Sequence, residues 1–244
     1  FQDPLTEELS RFTREHMAVA ARLAQVLPNF DMVSTVGVVQ DYPSSSADLY
    51  STLELLANTT KPLVLLISNE DLLEPGLDMA EELLGDLVDK PFLIPYLNPV
   101  TPLVLNRSTA EKLMETVDRG LPVIYSNLGM AGMSAPITAA GMLALLNAEL
   151  MAGLVLAQAT RPGAPVILGS LPSFFDMRTL QDFYDPHSFL LNQACAEMMA
   201  HYGIPHAGTS GCGVGWSADL AAADINGDGH TDIHGDRLTD GHLD

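Results

Sequence analysis

Positive charge is the first thing this sequence lacks. Lys and Arg together number 11 against 31 Asp and Glu, a formal net charge of -20. Neutralising a phosphate backbone needs a basic stripe, so nucleic acid is excluded as an expected partner. Cysteine is scarce too. The two present, Cys195 and Cys212, form no CxxC pair and suit a reducing compartment, and no zinc-ligand spacing occurs. No apolar run reaches the ~18 uninterrupted residues that a bilayer requires. The nearest, Ile137 to Gln158, is broken by Asn147 and Glu149. No basic-then-apolar leader opens the chain. The expectation is therefore a soluble, cytoplasmic protein with no membrane partner. A Gly-rich phosphate fingerprint after the first apolar run is also missing, which argues against a dinucleotide-binding sheet and against NAD.

What is present is a core and a rhythm. Hydrophobic residues make up 47% of the 244, enough for a substantial interior. Short apolar runs at Asp31 to Val39, Pro62 to Ser68, Phe92 to Tyr96, Leu121 to Ser126, Pro165 to Gly169 and Pro205 to Thr209 read as parallel strands buried on both faces. Helical patterns lie between them, at Ser46 to Ala57, Leu73 to Leu87, Ser108 to Arg119, Ser134 to Thr160 and Ser188 to Tyr202. The third opens on a Ser-Thr-Ala-Glu capping box, and Gly120, Gly163 and Gly203 fall where helices would stop. Alternating βα units predict an α/β fold with a parallel sheet, either open or closed into a barrel. Six strands are two short of a (β/α)₈ closure.

Residues 1–223 form that expected domain. From Asp224 the chain reads "DINGDGHTDIHGDRLTDGHLD", and core-forming residues nearly vanish. This composition suits a disordered acidic tail. Asp224, Asn226, Asp228 and Asp232, with Gly229, also match the first part of a calcium loop, but the twelfth position is Gly235 and the next carboxylate, Asp236, comes one place late. Calcium there remains an alternative.

Polar residues gather after the apolar runs, where an α/β barrel builds its site. Asn98 and Asn127 are strand-end amides able to orient a ligand, and His206 precedes Thr209 and Ser210 at the last run. The stretch "SNLGMAGMSAP" places Met130 and Met133 in a glycine-rich loop, where methionine can wall a pocket or simply fill core gaps. Phe174 and Phe175, with Phe183, Tyr184, Tyr96, Tyr125 and Trp216, could cage a quaternary ammonium through their ring faces or be the ordinary packing of a long loop over the barrel mouth. Arg178 could pair a substrate carboxylate or bridge to Asp176 or Asp182.

The blocks "VLPNFDMVSTVGVVQDYP", "ADLYSTLELLANTTKPLVLL", "YLNPVTPL", "NLGMAGMSAPITAAGMLALLNAELMAGLVLAQATRPGAPVILGS", "FDMRT" and "YGIPHAGTSGCGVGWSADL" resemble the trimethylamine methyltransferase family. The resemblance runs from the first helix to Leu220. It implies a (β/α)₈ TIM barrel, incomplete here at about six βα units. It implies a methyltransferase that moves a methyl group from a quaternary or tertiary amine to cobalt(I) of a corrinoid (cobalamin) carried on a small partner protein. No pyrrolysine is written, so the chain looks more like the non-pyrrolysine branch, whose best-known substrate class is glycine betaine. Under this resemblance Asn127 and His206 are the catalytic candidates, and Tyr96, Asn98, Tyr125, Met130, Phe174, Phe175, Arg178 and Trp216 the substrate-binding ones. Family members have more sequence at both ends, so a fragment is expected. The alternative is a truncated, inactive barrel that only binds a ligand or partner.

Overall fold

A computed structural model describes residues 1, 3, 6, 8–178, 180–183 and 186–208. Trp216, Cys212 and the acidic tail with its candidate calcium ligands lie outside the described residues.

The elements follow in the order α1 (Arg14–Val26), β1 (Val33–Ser34), α2 (Ala47–Asn58), β2 (Leu63–Leu65), α3 (Leu73–Leu84), β3 (Leu93–Leu97), α4 (Arg107–Asp118), β4 (Val123–Ala131), α5 (Ala139–Thr160), β5 (Val166–Asp176), β6 (Gln181–Phe183), α6 (Pro186–Tyr202) and β7 (His206–Gly208). Among the described residues the sheet order is β1-β2-β3-β4-β5-β6, with β7 also on β5. Pairs β1/β2, β2/β3 and β5/β7 are parallel, and β6 runs antiparallel to β5 as a hairpin. This is the α/β succession of an incomplete TIM barrel.

All six expected runs are strands, and β6 is an addition. It forms because "FFDMRTLQDF" continues the β5 ladder through Phe174↔Phe183 and Asp176↔Gln181 instead of leaving it as a loop. Strand β4 likewise extends through Asn127 and Met130, so the glycine-methionine loop shrinks to a turn in which the Met130 carbonyl accepts from the N–H groups of Met133, Ser134 and Ala135. Helix α5 then begins at Ala139 rather than Ser134, because Pro136 lacks an N–H and pushes its predecessor out of helical conformation. The capping box at Ser108 does not form. Helix α4 already includes Arg107, and the Ser108 hydroxyl donates to Glu70 Oε2 at 3.1 Å. The stop glycines are where expected, with φ +82° at Gly120, +82° at Gly163 and +70° at Gly203, a region open to glycine at no steric cost.

The chain forms two compact units. One comprises Phe1–Leu97, Arg107–Ile124 and Val155–Val166, the other Asn98–Asn106, Tyr125–Leu154 and Ile167–Asp244. The first has two apolar clusters. Leu65, Ile67, Leu77, Leu93 and Leu121 gather around α3, and Met17, Ala21, Val33, Leu55 and Leu63 pack α1 and α2 over the first strands. Inside this unit the buried Asp48 of α2 accepts the N–H groups of Ser68 (2.8 Å) and Asn69 (3.0 Å), fixing the chain just past β2. The second unit packs Ala131, Met142, Leu146, Leu191 and Cys195 together. Helix α5 is the one helix among the described residues long and apolar enough to cross a membrane. Here it connects β4 to β5, and its Met142, Leu146, Glu149, Leu150 and Ala157 are buried, a stripe at the i, i+4, i+7, i+8 spacing of a packed helix.

Candidate active site

Strand residues alternate between two faces of the sheet, and in the second unit this alternation sorts the candidates. Tyr125 and Asn127 share the face of β4 that meets α5. The Tyr125 ring lies flat on Gly153, where an added Cβ would fall 2.5 Å from Cδ1 and Cζ and closer still to Cε1. Burial, and then the charge of Glu149, push its phenol well above the usual value, and its hydroxyl has no partner.

Asn127 is fully buried, and both ends of its amide are hydrogen-bonded. Its Nδ2 donates to the Leu146 carbonyl at 2.8 Å and to Glu149 Oε2 at 2.9 Å, and its Oδ1 accepts from Ser170 Oγ at 3.0 Å. Ser170 in turn lies within hydrogen-bond reach of the buried Cys195 thiol on α6, whose pKa burial raises. Glu149, 4% exposed, also accepts from Thr101 Oγ1 at 2.9 Å and from the Leu103 N–H at 2.6 Å. A continuous polar chain thus joins α6, β5, β4, α5 and the segment after β3. Asn98, at the start of that segment, adds a bond from its Nδ2 to the Ser126 carbonyl at 2.8 Å.

The opposite face of β4 carries Ser126, whose Oγ is buried without a hydrogen-bond partner. Beside it stands Gly169 of β5, where a Cβ would meet Ser126 Oγ at 2.9 Å and overlap the Ala207 carbonyl. Ser126, Gly169 and Ala207 are small residues on three strands, packed so closely that only glycine fits at position 169. Ser173, two pleats beyond Gly169 on β5, has a second unpartnered buried hydroxyl.

His206 of β7 is in register with Leu168 of β5. Directly paired residues point to the same side, so it shares the face of Leu168 and Ser170. Its Nε2 is buried without a partner, and burial lowers its pKa. Phe174 packs beside the Met142 and Leu146 cluster and lines a cavity of about 480 Å³ with Ile137, Leu143, His187, Leu190 and Leu191. The His187 ring meets it edge-on at 6.2 Å. Phe174 and Tyr125 therefore contact α5 about ten residues apart, roughly 15 Å along its axis at 1.5 Å per residue, and do not share one cage. Phe175 takes the other face of β5. Met130 is half-buried, and Ser134 Oγ accepts its N–H at 3.0 Å. Arg178 is exposed, with its backbone N–H donating to Asp176 Oδ1 at 2.7 Å. Tyr96 belongs to the first unit, half-buried on the face of β3 opposite Leu93 and Leu97. The structure thus joins Asn98, Asn127 and the surroundings of Tyr125 in one network and leaves Tyr96 in a separate unit.

Sequence reasoning placed Ser170 among the polar strand-end residues but missed Ser126 and Ser173 and gave Glu149 no role. Of these last three only Glu149 left a trace, as a charge inside an otherwise apolar helix. Among the described residues no cluster of His, Cys, Asp or Glu has the arrangement to hold a metal ion.

Comparison with known proteins decides the family. The sequence model for trimethylamine methyltransferase (MTTB) matches residues 5–226. The chain belongs to the trimethylamine methyltransferase family. It is similar to the glycine betaine methyltransferase of Desulfitobacterium hafniense strain Y51, at 33% identity over 190 residues, 76% of this chain and 40% of that protein. It is also similar to the trimethylamine methyltransferase MttB of D. hafniense strain DCB-2, at 28% over 207 residues (83% and 42%), and to MttB of Methanosarcina barkeri, at 31% over 195 residues (78% and 39%). The chain spans about 40% of the length of these trimethylamine methyltransferase family members. Asn98, Asn127, Glu149 and His206 fall within the matched residues 5–226.

Proposed function

We propose that this chain carries part of an amine methyltransferase of the non-pyrrolysine branch, acting on a quaternary or tertiary amine of the glycine betaine or trimethylamine type. The family match over residues 5–226 carries the reading, and relatives of both substrate classes agree with it. The methyl acceptor is a corrinoid presented by a small partner protein, and its reduced cobalt supplies the nucleophile. The exposed apolar side chains Leu128 near the end of β4 and Met133 and Ile137 in the segment after it fit the face of a broad apolar macrocycle.

The chain's own residues have three tasks in this reading. They must desolvate a cationic headgroup, orient one methyl outward, and let the C–N bond break with its electron pair staying on nitrogen, so that a neutral amine leaves. In this reading the methylated nitrogen is carried over the face of the small residues Ser126, Gly169 and Ala207. Asn98, Met130 and Phe175 wall that face, and the exposed guanidinium of Arg178 pairs a betaine carboxylate. His206 lies on the opposite face of the sheet, with Leu168 and Ser170, where burial disfavours its charged form. Asn127 acts by holding strand β4 against α5.

The test is methylation of cob(I)alamin, free and on a corrinoid protein, by the 244-residue chain with glycine betaine, trimethylamine or choline. Methylcobalamin formed from betaine, with demethylated amine in equal amount, is the expected result. Transfer from none of the three refutes the proposal. A thermal midpoint raised by betaine without transfer favours a barrel that only binds.

A further inference from the structure

The segment after β3 is held in an unfavourable shape. Leu103 has φ +56°, a left-handed conformation that side chains bearing a Cβ rarely adopt. Such residues persist only when their surroundings over-determine them, and they cluster where geometry matters to function. What over-determines Leu103 is Glu149. One carboxylate oxygen accepts the Leu103 N–H at 2.6 Å, and the other accepts Thr101 Oγ1 and Asn127 Nδ2, each at 2.9 Å. All three donors are neutral, and the carboxylate is buried within unit two.

Burying a carboxylate is costly unless hydrogen bonds replace its water. An apolar side chain would fill the same space on α5 without that cost. A carboxylate has two acceptor oxygens and no donor, and this site presents donors on both sides, so neither glutamine nor an apolar residue matches it. Two of the donors stand three and five residues after Asn98, and the third is Asn127. The carboxylate therefore sets the position of the segment that Asn98 opens, relative to the strand that carries Ser126 and Asn127.

We infer that Glu149 is a positioning residue of the methyl-transfer site, clamping the strained 99–106 segment to strand β4 so that Asn98 is held in place for the substrate headgroup. The inference rests on the amine methyltransferase reading, and it assigns Glu149 no contact with the amine.

The experiment compares the full chain with Glu149→Gln, Glu149→Ala and Thr101→Val, using two readouts. The first is hydrogen exchange of the 99–106 peptide. The second is kcat and KM for methyl transfer from glycine betaine to cob(I)alamin. In Glu149→Gln the new amide faces a donor, and exchange at Leu103 rises roughly tenfold or more, as loss of a charge-assisted bond implies. There kcat falls by a similar factor while KM stays within about twofold. Thr101→Val, which removes one of three bonds and leaves the carboxylate in place, gives a smaller change in the same direction, so the inference survives a misfolded Glu149→Ala. Unchanged exchange in both Glu149→Gln and Thr101→Val overturns the clamp. Faster exchange with unchanged kcat overturns the positioning role, and a change confined to KM makes Glu149 a binding residue instead. Absence of transfer by the unaltered chain overturns the functional reading itself, and is seen before any variant is made.

Discussion

Gly153 offers the sharpest test of how the second unit is packed. It lies mid-helix in α5, where alanine is ordinarily better by about 1 kcal/mol. Here a methyl group would land on the Tyr125 ring, with Cδ1 and Cζ 2.5 Å away, more than 1 Å inside ordinary carbon contact of about 3.5–4.0 Å. Tyr125 is fully buried, so the ring cannot swing into solvent, and either it or the helix must shift. Overpacking of this kind costs about 1–3 kcal/mol. Because a ring face is struck rather than a chain end, the upper part of that range applies. Less the propensity gain, Gly153→Ala loses about 2 kcal/mol. At roughly 2–4 °C per kcal/mol for a chain of this size, Tm falls about 4–8 °C. Gly76 of α3 is the control. Its nearest neighbour is the terminal Ile67 Cδ1 at 3.3 Å, which can rotate away, so Gly76→Ala leaves Tm unchanged or slightly raised. Thermal melts of both variants decide the matter. Gly153→Ala melting at or above the unaltered chain refutes the packing of Tyr125 on Gly153. Tyr125→Leu in the Gly153→Ala background should recover most of the loss, since the two residues touch and their effects do not add.

Asn127→Asp is nearly isosteric and sets a second carboxylate 2.9 Å from Glu149 Oε2. Two such charges cannot both ionise cheaply, so one carboxyl titrates above its usual value of about 4 in the folded state. The folded chain then binds more protons than the unfolded one above pH ~4, and stability falls as pH rises. The variant is therefore weakest near pH 7 and recovers toward pH 5 in melts across that range; a deficit independent of pH refutes the contact. His206 gives the opposite slope. Burial lowers its pKa, so below about 6.5 the unfolded chain takes up the proton first and stability declines on acidification. His206→Gln should flatten the Tm profile between pH 7 and 5, and an unchanged slope in that variant excludes His206 as its source.

How legible these features were depended on the range of the forces that made them. The six strand positions and the stops at Gly120, Gly163 and Gly203 were readable because continuous apolar runs and positive-φ glycines act within a few residues. The capping box at Ser108 misled, because Glu70, 38 residues away in sequence, takes the hydroxyl. The stretch holding Phe174 and Phe175 reads as a loop, and becomes ladder only because Phe183 returns to pair with it. Asn127 was visible as a strand-end amide. Its role was not, since three partners from α5 and β5 decide whether an amide is free for a ligand or already occupied.

Glu149 makes the division plain. By itself the sequence determined an α/β chain with a parallel sheet, strands ending in polar residues, and motif blocks specific enough to name a family. Those outcomes follow from periodicity, local backbone chemistry and the order of recognisable motif blocks along the chain. Tertiary structure alone decided which face of β4 each residue took, that Tyr125 should lie on Gly153, and that a carboxylate inside an apolar helix should hold Leu103, Thr101 and Asn127. The physical reason is that a hydrogen bond or a close-packed ring is settled by ångström distances between residues tens of positions apart, and no local pattern encodes such distances.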